Sequence, residues 1–368
     1  MTVHDIYDLV DRIAPFRLQE EYDNAGLIVG PMNAPVHGIL LCLDVTRETV
    51  SEADDRGADL ILSHHPAIFK PIRRLDTVLQ ASVLAAIRHG FALLAAHTNF
   101  DTSPDGLNAF IVERMGLTDV RILQPRSVTC LYKVVTFVPS EFRDALLEAM
   151  FAAGAGRAGS YSHASFHMSG TGGFLPEQGA HPFLGEPGRL SSVREDRIET
   201  IATEADLPAV LDALRRTHPY EEPAIDVFRE HLPARETAGM GHAGNLPAPM
   251  SSTEFTAYAK AFFGVPVVGV IGRLPETVRR IALCSGAGSS VIPAVRPSGA
   301  EVLISGDITY HTALEVSQSG GCVMLVDHYS TERFFAPAME EALRRSSPDT
   351  ELPPLYQSAK EYQPLSYF

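Results

Sequence analysis

The sequence is short of cysteine, of positive charge and of long apolar runs, and each shortage removes a class of function. Its four cysteines, Cys42, Cys130, Cys284 and Cys322, show no CxxC spacing. Three of them lie in apolar, strand-like runs where a thiol is simply buried. No disulfide framework is implied, and the usage fits a reducing cytoplasm. Lys and Arg number 30 against 45 Asp and Glu, a formal net charge of −15. The basic residues form no long run, so a nucleic-acid partner is not expected, whereas cations are. The most hydrophobic stretch, AFFGVPVVGVIG, is too short and too broken to span a bilayer. The opening residues, MTVHDIYDLVDRIAPF, carry acids and a helical period in place of the basic end and apolar core of a signal peptide. A cytoplasmic protein without membrane contact is expected.

What is present is a chain of 368 residues, 45% hydrophobic, long enough for two or three domains. Its first third alternates as a parallel sheet with crossover helices does. GILLCLDVT reads as a strand, RETVSEADDRG as a helix stopped by Gly57, ADLILSHH as a strand and TVLQASVLAAIRHG as a helix. FALLAAHTNF is the next strand and LNAFIVERMG the next helix. The same grammar returns near the C-terminus: strand RRIALCS, glycine turn GAGSS, strand AEVLISGD, helix TYHTALEVSQSGG, strand CVMLVDH and helix TERFFAPAMEEALRR. Between the halves, residues 126–243 run strand-helix-strand twice, through LYKVVTFVP, SEFRDALLEAMFAAGAG and GSYSHASFHMSG, then DRIETIATEA, LPAVLDALRRTH and PAIDVFRE. That order predicts a ferredoxin-like split βαβ domain inserted into an α/β core. The expected division is therefore a first core half at 1–125, the insert at 126–243, a second half at 244–346 and a Pro- and Ser-rich tail at 347–368.

Candidate ligands gather where strands end. In LILSHHPAIF, Pro66 ends the extended run directly after His64 and His65, and only at such a turn can two sequence neighbours serve one site. AAHTNFD offers His97 and Asp101, and VDHYSTE offers Asp327, His328 and Glu332. All three sets are expected at the tips of one sheet, where α/β proteins bind ligands. His328 and Glu332 are i and i+4 neighbours across a helix start, and the two oxygens of Glu332 can bridge two cations. Histidines with carboxylates and no thiolate suit Zn, Fe, Mn or Co, and two ions sharing a carboxylate would use the whole set.

These blocks, together with EYDNAGLIVG, GSYSHASF, GTGGFLPEQGAHPFLG, HPYEEPAIDV and SGDITYH, make the chain resemble the Nif-three-like dinuclear metal-centre proteins, also called GTP cyclohydrolase 1 type 2 homologues. The resemblance implies two divalent metal ions per chain, held by His64, His65, Asp101, His328 and Glu332. Glu332 would be the bridge, with His65 and Asp101 on one ion and His64 and His328 on the other. It also implies a homohexameric ring and an insert like the trimeric PII and CutA proteins. Position 22 is Tyr where the family usually has Trp, and the tail lacks the family's common Asn-Pro-Phe ending.

Other residues carry open alternatives. CSGAGSSVI, with Gly286 and Gly288, is either an anion-binding turn or tight packing. Asp307, His311 and His97 either orient ligands or serve as caps and substrate contacts. Asp44 reads as the cap of the following helix, and the acids of THPYEEP as solvated or at an interface. Two functions fit. One is a metal-dependent hydrolase acting on a nucleotide or another phosphate-bearing small molecule, as the GTP cyclohydrolase label suggests. The other is a non-catalytic metal-binding, metal-delivering or regulatory protein.

Overall fold

In the computed structural model, which describes residues 1–366 apart from 79, 129, 159–160, 231–235 and 349, the apolar runs of the first third become four-residue strands buried on both faces. Ile39, Leu41, Leu60, Leu62 and Leu94 point into one core, while Leu40, Cys42, Ile61 and Leu93 point into another with Val50 and Ala53 of the helix Arg47–Arg56. Strict alternation between two apolar layers is why these runs carry no polar residue before Ser63, at the end of Leu60–Ser63. Gly57 and Gly90 end the helices Arg47–Arg56 and Ala81–His89 in the left-handed conformation, which glycine adopts without a Cβ clash.

The chain divides into two units, Met1–Ser127 with Glu236–Phe368, and Val128–Arg235. The first unit holds two sheets, not the single sheet its strand pattern suggests. One has the order Gly26–Val29, Ala92–Ala95, Leu60–Ser63, Ile39–Cys42, Leu355–Gln357. All its pairs are parallel except the first. The other has the order Gly269–Gly272, Cys322–Leu325, Val302–Asp307, Thr277–Ala287, Glu236–Ser251, Thr118–Val128. Its three central strands are parallel. A single core joins the two sheets: Leu41 and Leu62 of one and Leu283, Ile304 and Met324 of the other share it with Phe100, Phe255, Phe263 and Phe335. Periodicity reports which face of a strand is buried and cannot report which sheet it joins, so the division was invisible in the sequence.

In the second unit, the strands Ser165–Phe174, Ser191–Thr203, Leu131–Val138 and Ile225–Arg229 pair antiparallel in that order. The helices Arg143–Ala152 and Leu207–Thr217 pack Leu146, Met150, Val210 and Leu214 onto Val134, Val138 and Ile198. This is the ferredoxin-like order expected of the insert. Among the described residues, no helix is long and apolar enough to cross a membrane.

Candidate metal centre

The strand Leu60–Ser63 delivers His64 and His65 at its end, and the strand Ala92–Ala95 delivers His97 and the short helix Thr98–Thr102 that carries Asp101. From the other sheet, the strand Cys322–Leu325 leads into the short helix His328–Glu332. Asp327 caps that helix, accepting from Ser330 N at 2.8 Å, and so serves the helix and not the cluster. It pays for the tight entry with a φ of 97°, a region costly for any residue with a Cβ.

Two groups of donors result. His64 Nε2 faces Asp101 Oδ1 at 3.7 Å and Glu332 Oε1 at 3.8 Å. On the other side of the same carboxylate, His65 Nε2 and His328 Nε2 lie 3.0 and 2.9 Å from Glu332 Oε2. In each group all ligand atoms are within 4.8 Å of one another, close enough to hold a metal ion. Glu332 thus stands between the groups. The partition differs from the one the resemblance implies: His64 goes with Asp101, and His65 with His328. Successive residues at a strand end point to opposite sides, which sends His64 to the fully buried side and leaves His65 partly exposed.

Every histidine of the cluster is fixed from behind. The Nδ1–H of His64 donates to the Ala96 carbonyl at 2.9 Å, that of His65 to Asp44 at 2.8 Å and that of His328 to Asp307 at 2.6 Å. His97 donates likewise to Asp23 at 2.7 Å, and its ring forms a third possible ligand group with His64 and His65. Such partners set the tautomer and aim Nε2 inward, as the neighbours of metal-bound histidines do. Burial works against the Asp23 carboxylate, but hydrogen bonds from His97 and Thr98 outweigh it and hold its pKa at about 2. The sequence offers Asp44 as a helix cap, but the cap is Thr46 and Asp44 steadies His65; Asp23 carries no such signal. Asp307 proves to be the support of His328. His311 packs edge-on against exposed Tyr310 and joins no ligand group among the described residues.

The glycine turn also resolves. Gly286 has φ +58°, and a Cβ there would overlap Glu332 Oε1. Gly306 is as tightly confined, with a Cβ falling 2.7 Å from His328 Cα. These glycines make room for the helix that carries His328 and Glu332.

Electrostatically, the cluster is built for positive charge. Burial opposes the imidazolium of His65, yet its bonds to Asp44 and Glu332 outweigh this and push its pKa up to about 10. The bond to Glu332 is the main reason that His328 rises to about 9. Burial disfavours the Glu332 carboxylate, and the three histidines more than offset it, keeping it ionised. The buried Nε2 of His64 has no hydrogen-bond partner among the described residues. Metal-free, the site therefore stores protons where a cation would sit. The sign of the pH dependence follows: His65 and His328 are protonated at neutral pH, and His64 is also raised, its burial being outweighed by Asp101 and Glu332, so a metal must displace protons, and its affinity climbs until pH passes about 9 to 10. Calorimetry near neutrality, in two buffers of different ionisation enthalpy, should register release of at least about two protons per chain on loading. Zero release would remove His65 and His328 from the ligand set.

An α/β core with a histidine and carboxylate cluster at converging strand tips is an arrangement that could hold metal ions. The Duf34/NIF3 (NGG1p interacting factor 3) family model matches residues 1–359, and the chain belongs to that family. It is 37% identical over 342 residues to a Halalkalibacterium halodurans protein called a GTP cyclohydrolase 1 type 2 homolog, covering 92% of this chain and 91% of the other. A Bacillus subtilis protein of the same description is 34% identical, with 88% and 87% covered. Among solved structures, a Bacillus cereus protein related to NIF3 superposes with a TM-score of 0.90 at 33% identity, covering 100% of this chain and 99% of that one.

Proposed function

We propose that the cluster holds two divalent metal ions bridged by Glu332, one with His64 and Asp101 and the other with His65 and His328, and that the site hydrolyses a nucleotide or another phosphate-bearing small molecule. The observation that carries this reading is the buried, partnerless Nε2 of His64 between two carboxylates. A buried polar atom left unpaired is costly, and a cation there would satisfy all three groups. The nitrogen and oxygen donors, without thiolate, fit Zn, Fe, Mn or Co. Bound there, such ions supply Lewis acidity toward a substrate oxygen and make water acidic enough to react at neutral pH.

The chain's own residues set the approach. His64 and Asp101 are sealed, whereas His65 and His328 are partly open, so substrate enters on the second side. Phe69 stands edge-on to both Tyr22 and His97, at 6.3 and 6.0 Å between ring centres. Partly exposed rings beside the cluster offer a ledge for a flat group. His97, held by Asp23, is placed to hydrogen-bond the substrate. The GTP cyclohydrolase name of the relatives agrees with a nucleotide.

The test is a panel of phosphoesters and nucleotides offered to metal-reconstituted protein, beside His64→Ala. Turnover that disappears with His64→Ala is expected. Full metal content with no turnover against any class overturns the hydrolase and leaves a metal-delivering or regulatory protein.

We also place the protein in the cytoplasm, in line with its free cysteines, and infer a homohexamer from the resemblance. Phe166, Met168 and Phe228 lie exposed on the two edge strands of the helix-free face of the second unit's sheet, with Lys133, Arg197 and Glu199 between them, a mixed apolar and charged face that another copy would cover. Since all proposed ligands come from one chain, light scattering should give the same hexamer with and without chelator. A monomer in both conditions refutes it.

A further inference from the structure

We propose that the second unit carries a binding site of its own, for a small organic cation, in a cavity walled by aromatic rings and carboxylates. The cavity measures about 500 Å³ and lies between the end of the four-stranded sheet, the segment 174–184 and the turn 220–224. It is formed by two of the motifs that the metal centre leaves unused, GTGGFLPEQGAHPFLG and HPYEEP.

Its walls are Phe137, Phe174, Phe183 and Tyr220. The rings of Phe174 and Phe183 are tilted to that of Tyr220, with centres 6.2 and 6.4 Å away. None is stacked flat on another; the Arg197 guanidinium lies over the Phe137 ring, 5.6 Å from its centre, so the faces left to a guest are those of Phe174, Phe183 and Tyr220. Tyr220 is held in place from behind: its backbone N–H donates to His218 Nδ1 at 3.0 Å, and the Nε2–H of His218 donates to the Phe137 carbonyl at 2.9 Å.

Charge decides what that guest is. Glu195, Glu221 and Glu222 line the cavity, and none of the described side chains lining it is basic. Glu195 is only 8% exposed. Its Oε1 accepts from the Tyr220 hydroxyl at 2.6 Å, and among the described residues no cation pairs with it. Its Oε2 lies over Gly172, where any Cβ would overlap it, so glycine is what admits the carboxylate. A buried carboxylate answered by one phenol is under-compensated. Aromatic faces around it attract positive charge through their quadrupoles, and the apolar surface accepts a hydrocarbon body. A divalent metal would find too few oxygens converging, since Glu221 is engaged with the His181 N–H at 3.0 Å. An anion would meet three carboxylates. An amine or quaternary ammonium with an apolar body suits both features.

The experiment uses the full chain and three probes of similar size: benzyltrimethylammonium, benzyl alcohol and benzoate, followed by calorimetry and ligand-observed NMR. The cation is expected to bind at least about tenfold more tightly than the alcohol, and benzoate not at all. Glu195→Gln should weaken the cation by about tenfold and leave the alcohol unchanged. Phe183→Leu, at a side chain half exposed and safe for folding, should also weaken the cation, and it keeps the proposal open to refutation if the buried variant unfolds. Equal binding of alcohol and cation, unchanged affinity in Phe183→Leu or in a folded Glu195→Gln, or no binding of any probe overturns the site.

Discussion

Glu332→Gln is expected to leave the fold standing and to strip the centre of at least one of the two ions proposed for it. Oε1 of Glu332 serves the side of His64 and Asp101, and Oε2 serves His65 and His328. A carboxylate presents an anionic oxygen to each side. An amide of the same shape presents one neutral oxygen and, opposite it, N–H groups that repel a cation. Elemental analysis should fall from close to two equivalents to one or none, with the circular dichroism unchanged. Because the three histidines can shed their protons, the metal-free variant should lose less than the roughly 3–5 kcal/mol typical of a stranded buried charge. Two ions at full occupancy would show that Glu332 is not the bridge. Asp101→Asn, which touches only the His64 side, should cost one ion and spare the other.

The second large effect is expected at a residue that binds nothing. Gly286→Ala should both destabilise the protein and empty the centre, because the added methyl falls on Glu332 Oε1. The backbone there is left-handed, so part of the loss, on the order of 1–2 kcal/mol, is conformational. Gly57→Ala separates the two causes. Gly57 has a similar φ of +68°, with nothing within 4 Å of a Cβ, so it carries the conformational cost alone and should keep its metals. Thermal unfolding of metal-free protein and metal content of loaded protein, measured on both variants, make the comparison. Equal metal content in the two would mean that Glu332 yields easily and the glycine is there only for the turn.

Much of this was legible in the sequence, and the division has a physical basis. Strands such as Leu60–Ser63, the helix stops at Gly57 and Gly90, and the split βαβ order of the second unit are local features, readable from period and punctuation. The cluster residues were legible because strand tips advertise themselves: an apolar run ends and a histidine follows. The partition of strands into two sheets was not, since pairing is decided by partners far away in the chain. Nor was the work of Asp44 and Asp23, because a carboxylate that steadies a histidine looks in sequence like any cap or turn residue. Gly286 showed its turn without showing what it makes room for.

The strand Leu355–Gln357, paired to Ile39–Cys42, has a consequence for how the molecule is made. Between its partner and itself, the second unit and the whole six-stranded sheet are translated. At about 5–20 residues per second, the wait is on the order of tens of seconds. Throughout it, Ile39–Cys42, buried along its whole length in the finished fold, has one ladder of backbone groups unpaired, an open edge for a neighbouring nascent chain to join. The first α/β half thus keeps one open edge during synthesis until residues 355–357 arrive to close it.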